Sequence, residues 1–469
     1  MEKKRVEKDY LGEKEIPEDA YYGIQTLRAI ENFPISGIKA HPEFIRATAI
    51  VKKACAEANM IIGDLDARIA KAIINAADEI INGKFHDQFL VDVFQAGAGT
   101  SHNMNANEVI ANRAIEMLGG KKGDYKIVHP NDHVNMAQST NDVFPTIMRI
   151  SCLSLIRRLI PELKNLEEAF EKKAKEFNRI IKPGRTHLED AAPIRLGQVF
   201  NAYASIISEN IERIERASIA LEDLNIGATA VGTGLNADPE YVKIVVEKLE
   251  AHTGFKLRSA KNLIAVTQSM GDFVELSNAL KTLAIDMIKI ANDIRLMSSG
   301  PVTGLNEINL PSVQPGSSIM PGKVNPVIAE AMNMVAFQVI GNDLTVTLAS
   351  QAGQLELNVM MPVIAFNLIQ SLDILKNSIH VFTERLVLGI TANEKRCKEM
   401  VERSPGLALA LNPYIGFEAT AKVVQEAIAT GKTIREVVLE KKLLPRDMVD
   451  KILDPYALTE PGKRKVKQS

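Results

Sequence analysis

The feature that most constrains the fold of this chain is a segment of regular apolar repeats, residues 263–298, that contains no proline. Two rows of large apolar residues recur in it at intervals of seven: Phe273, Leu280, Met287 and Ile294 in one, and Leu276, Leu283, Ile290 and Met297 in the other. Such an a/d pattern lies on one helix face and packs against another helix at a shallow angle. The segment therefore predicts a long helix within a helical bundle.

Seven other segments repeat apolar residues every three or four positions, which is the period of an amphipathic helix. They are residues 42–84, 105–118, 143–175, 198–224, 239–252, 326–349 and 358–385. We therefore predict an all-α fold whose centre is a bundle of long helices. We expect three parts: an N-terminal helical domain over residues 1–141, the long-helix bundle over 142–392, and a small C-terminal helical domain over 393–469.

The charge balance of the chain indicates which partners to expect. Its 469 residues carry 56 basic and 58 acidic side chains, a net charge of -2. No global field therefore favours nucleic acid or a membrane surface, and we expect neither as a partner. Any selectivity for an anion must come from a local cluster of donors.

Cysteine usage and the first residues indicate the compartment. Cys55, Cys152 and Cys397 are too few and too far apart for a disulfide framework or a zinc knuckle, so we expect buried free thiols. The first residues lack the apolar core of a signal peptide, and no uncharged apolar run is long enough to span a bilayer. We predict a cytoplasmic location.

Residues 316–326, Gly-Ser-Ser-Ile-Met-Pro-Gly-Lys-Val-Asn-Pro, form the segment richest in chemistry. Two glycines and two prolines are too dense for helix or strand throughout, so the segment predicts a loop. It carries hydrogen-bond donors, one of them a cation: Ser317, Ser318, Lys323 and Asn325. Donors of this kind suit an anionic small molecule.

A second polar segment, residues 97–108, has two glycines followed by Thr100, Ser101 and three asparagines, and leads into a helix expected to begin near Asn103. Backbone donors at a helix start favour a carboxylate. Simple capping by Ser101 or Asn103 would explain one of these residues but not the whole cluster. A dinucleotide-binding fingerprint is excluded, because no strand precedes the glycines and the third glycine is missing.

Residues 138–142, Gln-Ser-Thr-Asn-Asp, precede the predicted helix at 143. Ser139, Thr140 and Asn141 therefore lie where unpaired backbone amides of the helix start also point. A capping role and a carboxylate-binding role are compatible at such a position.

Residues 184–190 place Thr186 beside His187 in a short segment between two prolines. A lone histidine is more often a structural group than a catalytic one. His129 and His133 are spaced like a metal pair on a helix, but Pro130 and the lack of a third ligand argue against a metal. We expect no metal and no cofactor.

Together, the four polar segments resemble the conserved segments of the aspartase/fumarase superfamily, whose members eliminate an amine or water from a succinyl group to release fumarate. The resemblance extends from about residue 10 to about residue 461, with the segments in the correct order. It implies the three-part fold, a homotetramer whose central helices pack into a shared core, and active sites shared between subunits. Some members use the run that matches residues 129–132 as a secondary anion site.

The resemblance also implies roles for individual residues. Removing a proton beside a carboxylate leaves a doubly charged enediolate, and each preorganised donor aimed at such an oxyanion contributes about 3 to 4 kcal/mol. Ser317 is implied as the base, although the residues themselves offer no activating partner, and His187 is the second catalytic residue. The implied substrate-binding residues are Thr100, Ser101, Ser139, Thr140, Asn141, Thr186, Ser318, Lys323 and Asn325.

The expected reaction is reversible deamination of L-aspartate, a dicarboxylate, to fumarate and ammonia. Thr140 and Asn141 resemble the deaminating members, as do residues 21–26, whereas residues 129–132 and 314–316 resemble the hydratases that act on L-malate. Fumarate hydration is therefore the alternative. A catalytically silent scaffold is a further alternative, but a scaffold has no reason to retain the complete set of donors.

Overall fold

The computed structural model describes residues 3–462, and most of them are helical, as the all-α prediction requires. Within that range the α-helices are α1 Ile24–Asn32, α2 Pro42–Ile62, α3 Ala67–Ile81, α4 Thr100–Met117, α5 Thr140–Glu176, α6 Leu196–Ile219, α7 Pro239–Thr253, α8 Leu263–Gln268, α9 Gly271–Met297, α10 Val327–Gln351, α11 Met361–Arg385, α12 Glu394–Arg403, α13 Asn412–Ile415, α14 Phe417–Thr430, α15 Ile434–Glu440 and α16 Arg446–Ile452. No helix among the described residues is both long enough and apolar enough to cross a membrane.

Short strands, which the sequence pattern did not predict, pair into four two-stranded sheets in the described part of the chain. The antiparallel pairs are β1 Lys4–Asp9 with β2 Gly12–Pro17, β3 Ile181–Thr186 with β4 Glu189–Arg195, and β7 Ile308–Asn309 with β8 Thr391–Ala392. The strands β5 Asp223–Leu224 and β6 Arg258–Ser259 are parallel. The strands β5 to β8 have two residues each, and β1 to β4, with six or seven residues, are rich in charged residues, glycine and proline, so none shows the apolar alternation that predicts a strand.

The chain divides into two compact units. Unit 1 comprises Met1–Ile160, Glu212–Ala284 and Ala336–Lys376, and unit 2 comprises Pro161–Ile211, Ile285–Val335 and Asn377–Ser469. The three-part division at residues 141 and 392 stays a prediction. Residues 463–469 of the predicted C-terminal domain lie outside the described residues.

The heptad prediction is confirmed by burial along α9. All eight residues of the two apolar rows are at most 5% exposed. The predicted continuous helix from residue 263 is nevertheless wrong at its start, because α8 ends at Gln268 and Ser269 adopts an extended conformation before α9 begins. The apolar rows therefore determine which face of α9 is buried, while local backbone geometry determines the residue at which the helix begins.

The predicted helix over residues 42–84 is in fact two helices. Gly63 ends α2 in the left-handed conformation, with φ 88°, which glycine adopts without steric cost. Asp66 then caps α3, accepting hydrogen bonds from the backbone N–H groups of Arg68 and Ile69. The apolar period is the same in both helices, so periodicity alone does not locate the break.

Candidate active site

The N-terminus of α4 is formed by a tight glycine turn. Gly99 lies at φ 95°, and the Thr100 hydroxyl donates to the Gly97 carbonyl at 2.6 Å. The helix therefore begins at Thr100, three residues before the start expected near Asn103. Thr100, which is exposed, and Ser101, which is partly buried, lie in the first turn of the helix, where the helix dipole favours an anion. Two amides of this turn are already used, because the N–H groups of Thr100 and His102 donate to the Gly97 carbonyl and the Gln95 side chain.

The N-terminus of α5 is closed by a reciprocal cap. The Ser139 hydroxyl accepts from the Asn141 backbone N–H at 3.2 Å, while the Asp142 carboxylate accepts from the Ser139 backbone N–H at 3.0 Å. This differs from a capping box, because the hydroxyl accepts from the second amide of the helix instead of the third and an aspartate replaces the usual glutamate. The cap fixes the backbone on both sides of Thr140, whose side chain is only 8% exposed.

The two helix starts pack directly against each other within unit 1. A Cβ atom added to Gly99 would lie 2.2 Å from the ring of Phe144, which is on the first turns of α5. Four residues into α4, the Asn103 amide donates to the Thr140 hydroxyl at 3.2 Å. The structure therefore brings together five predicted binding residues that come from two distant segments: Thr100, Ser101, Ser139, Thr140 and Asn141.

Asp142 ties the start of α5 to the turn that follows β5. Its Oδ2 atom accepts from the backbone N–H groups of Gly227 and Thr229, at 3.0 and 2.9 Å. Burial raises the pKa of Asp142 to about 6, even though these amides and that of Ser139 favour the carboxylate. The Asn141 amide donates to the Ala230 carbonyl at 2.7 Å, which holds this predicted binding residue against the same turn.

A buried cation lies behind the two helix starts. The Lys52 ammonium donates to the side-chain oxygens of Asn135 and Gln138, at 3.0 and 2.8 Å. Lys52 is fully buried, and burial lowers its pKa to about 7. The same Asn135 oxygen also accepts from the amides of Asn103 and Asn107, both at 3.1 Å. Sequence reasoning missed this network, because Lys52 lies in an ordinary amphipathic helix.

The loop over residues 316–326 is irregular, as predicted, and its two arms are fastened together. The Gly316 backbone N–H donates to the Lys323 carbonyl at 2.7 Å, and the Asn325 amide donates to the Gly316 carbonyl at 2.6 Å. A Cβ atom at Gly316 would meet the Lys323 carbonyl oxygen at 2.6 Å, so only glycine permits this approach. Asn325 therefore closes the base of the loop in this structure, and Ser318 and Lys323 are exposed on it.

The Ser317 hydroxyl oxygen is the acceptor of two backbone donors within this loop. The N–H groups of Ile319 and Met320 donate to its Oγ atom at 3.2 and 2.9 Å. Two amides on one hydroxyl oxygen favour its deprotonated form, because a charged acceptor makes shorter and stronger hydrogen bonds than a neutral one. The loop backbone therefore presents two donors to the Ser317 oxygen.

Thr186 and His187 lie at the tip of the β3–β4 hairpin in unit 2. Both side chains are exposed, and His187 adopts a left-handed φ of 57°, which turns the chain back into β4. Below the tip, Arg185 and Lys182 pair with the fully buried Glu307 at 2.7 and 3.2 Å. In the described part of the chain, no hydrogen bond or ion pair joins the hairpin tip to the loop over 316–326.

Two further features concern possible ligand sites: a cavity in unit 2 and a histidine-containing turn in unit 1. A cavity of about 810 Å³ in unit 2 is lined by Lys323, Asn325 and Arg295 among other polar residues. In unit 1, His129 precedes a single π-helical turn, Pro130–Val134, and its ring accepts from two backbone amides of that turn. Among residues 3–462, no group of three or more histidine, cysteine or acidic side chains is placed to hold a metal ion.

Comparison with known proteins places the chain in a family. Residues 12–341 match the family model described as lyase, and residues 407–460 match the one described as fumarase C C-terminus. The chain therefore belongs to the lyase family, and its predicted membership of the aspartase/fumarase superfamily is confirmed. It is 58% identical over 98% of both chains to the aspartate ammonia-lyase of a Bacillus species, and 57% identical to that of Bacillus subtilis, over 98% of this chain and 96% of the relative.

Solved structures agree with this assignment. A fumarate lyase/delta crystallin structure from Brucella melitensis superposes with a TM-score of 0.95, at 48% identity over 98% of this chain and all of that chain. A class II fumarase from Schistosoma mansoni superposes with a TM-score of 0.94, at 35% identity over the same shares of the two chains. The fold is thus shared with a fumarase as well as with a fumarate lyase, so the fold alone does not identify the reaction.

Proposed function

We propose that this chain catalyses the reversible deamination of L-aspartate to fumarate and ammonia. The observation that carries the proposal is that aspartate ammonia-lyases from several bacteria are 50–58% identical to it over nearly the full length of both chains. The fumarase named above is 35% identical, which favours deamination over hydration of fumarate. The enzyme is therefore a carbon–nitrogen lyase. Its active site needs groups that bind a dicarboxylate and groups that stabilise an enediolate.

The helix starts in unit 1 support binding of one substrate carboxylate. Two helix N-termini packed together present their dipoles in the same region, and Ser101, Ser139 and Thr140 add hydroxyls there. Thr100 adds a fourth hydroxyl once it exchanges its bond to the Gly97 carbonyl for one to the substrate. Asn141, held against the turn at Ala230, completes the set. Fixed donors of this kind stabilise the second negative charge of an enediolate without reorganising during the reaction.

Ser317 is the proposed base. The two amides on its Oγ atom lower the cost of releasing the hydroxyl proton to solvent. The resulting alkoxide removes a proton from Cβ of L-aspartate, and the electron pair left behind forms the C=C bond of fumarate as the Cα–N bond breaks and ammonia leaves. Lys323, a cation on the same exposed loop, with Ser318 and Asn325, is proposed to bind substrate when the loop closes over it. These amides are the activating partners that the sequence alone did not reveal.

His187 and Thr186 are proposed to contact the substrate from the hairpin tip. A histidine donates a hydrogen bond to a carboxylate from either ring nitrogen, and a threonine hydroxyl donates one more. Because a protonated amine leaves as neutral ammonia, the site needs no strong general acid at the leaving group. The buried pairs of Glu307 with Lys182 and Arg185 support the strand from which the tip projects.

An exposed apolar face on helix α10 supports the proposal that the protein is a homotetramer with shared active sites. Phe337, Leu344 and Leu348 are 52–60% exposed and lie with Gly341 at heptad spacing on one face. A Cβ atom at Gly341 would meet nothing within 4 Å, so another helix has room to approach there. An exposed apolar seam of this kind is the surface that a second copy of the chain would cover. Sedimentation of the purified protein tests this, since a fully active monomer would contradict it.

We also propose a cytoplasmic location, which is supported by the state of the cysteines. Cys55, Cys152 and Cys397 are all buried and unpaired in the structure. Burial raises the pKa of each thiol to about 12, which keeps it unreactive. Unpaired thiols of this kind are compatible with a reducing compartment.

The activity is tested by following the ultraviolet absorbance of fumarate with three substrates in parallel: L-aspartate, L-malate and a succinyl adduct of an amine. We expect fumarate from L-aspartate alone. Formation from L-malate alone would establish the hydratase instead, and no formation from any of them would favour the silent scaffold. Each result therefore selects one of the functions considered for this chain.

The role of Ser317 is tested by Ser317→Ala, with Ser318→Ala as the matched control on the same loop. We expect Ser317→Ala to abolish turnover of L-aspartate and to leave the Kd for fumarate nearly unchanged, because a base acts on the reaction and not on binding. Ser318→Ala should retain measurable turnover and raise KM. Near-normal turnover by Ser317→Ala would remove this residue from the proposed role.

A further inference from the structure

The hydroxyl of Thr140 is held by one side chain, Asn103, and the direction of that hydrogen bond follows from the buried Lys52. An ammonium group only donates hydrogen bonds. The Asn135 side-chain atom that lies 3.0 Å from the Lys52 nitrogen must therefore be its oxygen. The Asn135 nitrogen in turn donates to the Gln138 backbone carbonyl at 3.1 Å. Lys52 and this carbonyl together fix which end of the Asn135 amide faces the helix starts.

The next step in the chain follows from the first. Asn103 and Asn107 each place a side-chain atom 3.1 Å from the same Asn135 oxygen, so both of those atoms must be amide nitrogens. The Asn103 nitrogen lies 3.2 Å from the Thr140 hydroxyl oxygen. An amide nitrogen has hydrogens to donate and no lone pair with which to accept, so Thr140 is the acceptor.

The consequence concerns the one hydrogen of the Thr140 hydroxyl. Since the oxygen accepts from Asn103, this hydrogen cannot point at Asn103, and among the described residues no side chain or carbonyl accepts it. Thr140 is the first residue of α5, where the helix dipole already favours an anion. The hydrogen is therefore available to a carboxylate bound at the helix starts.

We propose that Asn103 is a positioning residue that turns the Thr140 hydroxyl into an obligate donor toward the substrate. The orientation of the Asn103 amide is itself set through Asn135 by Lys52 and the Gln138 carbonyl. This inference rests on the proposed function, because it needs a carboxylate at the helix starts. Asn103 is 1% exposed, so the proposed role does not involve contact with the substrate. It acts by removing the alternative orientation of the Thr140 hydroxyl before substrate binds, which is preorganisation rather than direct contact.

The matched control is Asn107, which lies one turn further along α4. Asn107 is fully buried and donates to the same Asn135 oxygen, but it makes no contact with Thr140. Replacing either asparagine by leucine removes a buried amide of similar volume from the network. A purely structural role for the network predicts equal effects of Asn103→Leu and Asn107→Leu on activity and on stability.

The test is a double-mutant cycle with L-aspartate as substrate, in which Asn103→Leu is measured with threonine and with valine at position 140. We expect Asn103→Leu to lower kcat/KM about tenfold in the presence of Thr140 and less than about twofold in the Thr140→Val background. Asn107→Leu should lower kcat/KM less than about twofold while lowering the urea midpoint as much as Asn103→Leu does.

Equal losses from Asn103→Leu in both backgrounds would overturn the inference, and so would an equal loss from Asn107→Leu. If Asn103→Leu fails to fold, Asn103→Asp serves instead, because its carboxylate keeps the size and accepts the Thr140 hydrogen. That variant should lose at least as much activity with Thr140, and again little in the Thr140→Val background. An inactive wild-type chain would refute the proposed function itself, which separates that failure from the failure of this inference.

Discussion

Replacing Gly99 by alanine should weaken the junction between the two helix starts, and the structure allows the cost to be worked out. Gly99 lies at φ 95°, where a residue with a Cβ atom costs about 1 to 2 kcal/mol. The new Cβ atom would also lie 2.2 to 2.6 Å from ring carbons of Phe144. That ring is 1% exposed and packs edge-on against Phe44, so it has little room to move.

Overpacking of this kind costs a further 1 to 3 kcal/mol or so. We therefore expect Gly99→Ala to lower the free energy of unfolding by about 2 to 5 kcal/mol and to reduce kcat/KM for L-aspartate. Gly63→Ala is the matched control, since Gly63 lies at a similar φ of 88° but has nothing within 4 Å of its added Cβ atom. It should cost only the backbone term, about 1 to 2 kcal/mol.

The assay is urea unfolding followed by circular dichroism at one fixed chain concentration, because the apparent stability of an oligomer depends on concentration. The difference between the two variants isolates the close approach of α4 to Phe144. Equal losses for Gly99→Ala and Gly63→Ala would refute the argument that the two helix starts are packed to contact.

Two further predictions concern buried carboxylates. Burial raises the pKa of Glu108 to about 7, whereas the same carboxyl group in the unfolded chain has a pKa near 4.5. The free energy of unfolding should therefore fall as pH rises between those values, by at most about 1.4 kcal/mol per pH unit. Glu108→Gln should remove this pH dependence from the urea unfolding curves. Glu307→Gln leaves Lys182 and Arg185 without their carboxylate and should cost about 3 to 5 kcal/mol in urea unfolding, whereas Glu31→Gln, at a surface pair, should cost less than about 1 kcal/mol. Equal losses for the two glutamine variants would contradict the ion-pair argument.

Long-range apolar periodicity predicted the helical architecture, and local backbone geometry explains where that prediction was wrong. The eight heptad residues of α9 are buried because their spacing alone places them on one face. The break after α2 depends on one left-handed glycine, Gly63, and the start of α4 depends on another, Gly99. Neither the break after α2 nor the start of α4 alters the apolar period, so a pattern that extends over many residues does not locate these helix ends.

The candidate site could likewise be predicted only in part. Thr140 and Ser317 were predicted as site residues because hydroxyl groups suit an anion, and because Thr140 lies beside a helix start and Ser317 in a glycine-rich loop. The groups that orient them were not predicted. Lys52 lies far away in sequence, and the two donors on the Ser317 hydroxyl are backbone amides, which every residue except proline carries. Their roles depend on three-dimensional placement, which residue types do not specify.

The central proposal is that segments from more than one subunit of the assembled protein hold an L-aspartate whose Cβ proton is taken by Ser317. The most direct measurement is a crystal structure of the Ser317→Ala assembly soaked with L-aspartate, since this variant should bind substrate without consuming it. We predict one substrate carboxylate within hydrogen-bond distance of Thr100 and Thr140, and Cβ facing the alanine at position 317. L-aspartate bound away from those threonines, or with Cβ turned from residue 317, would contradict the account.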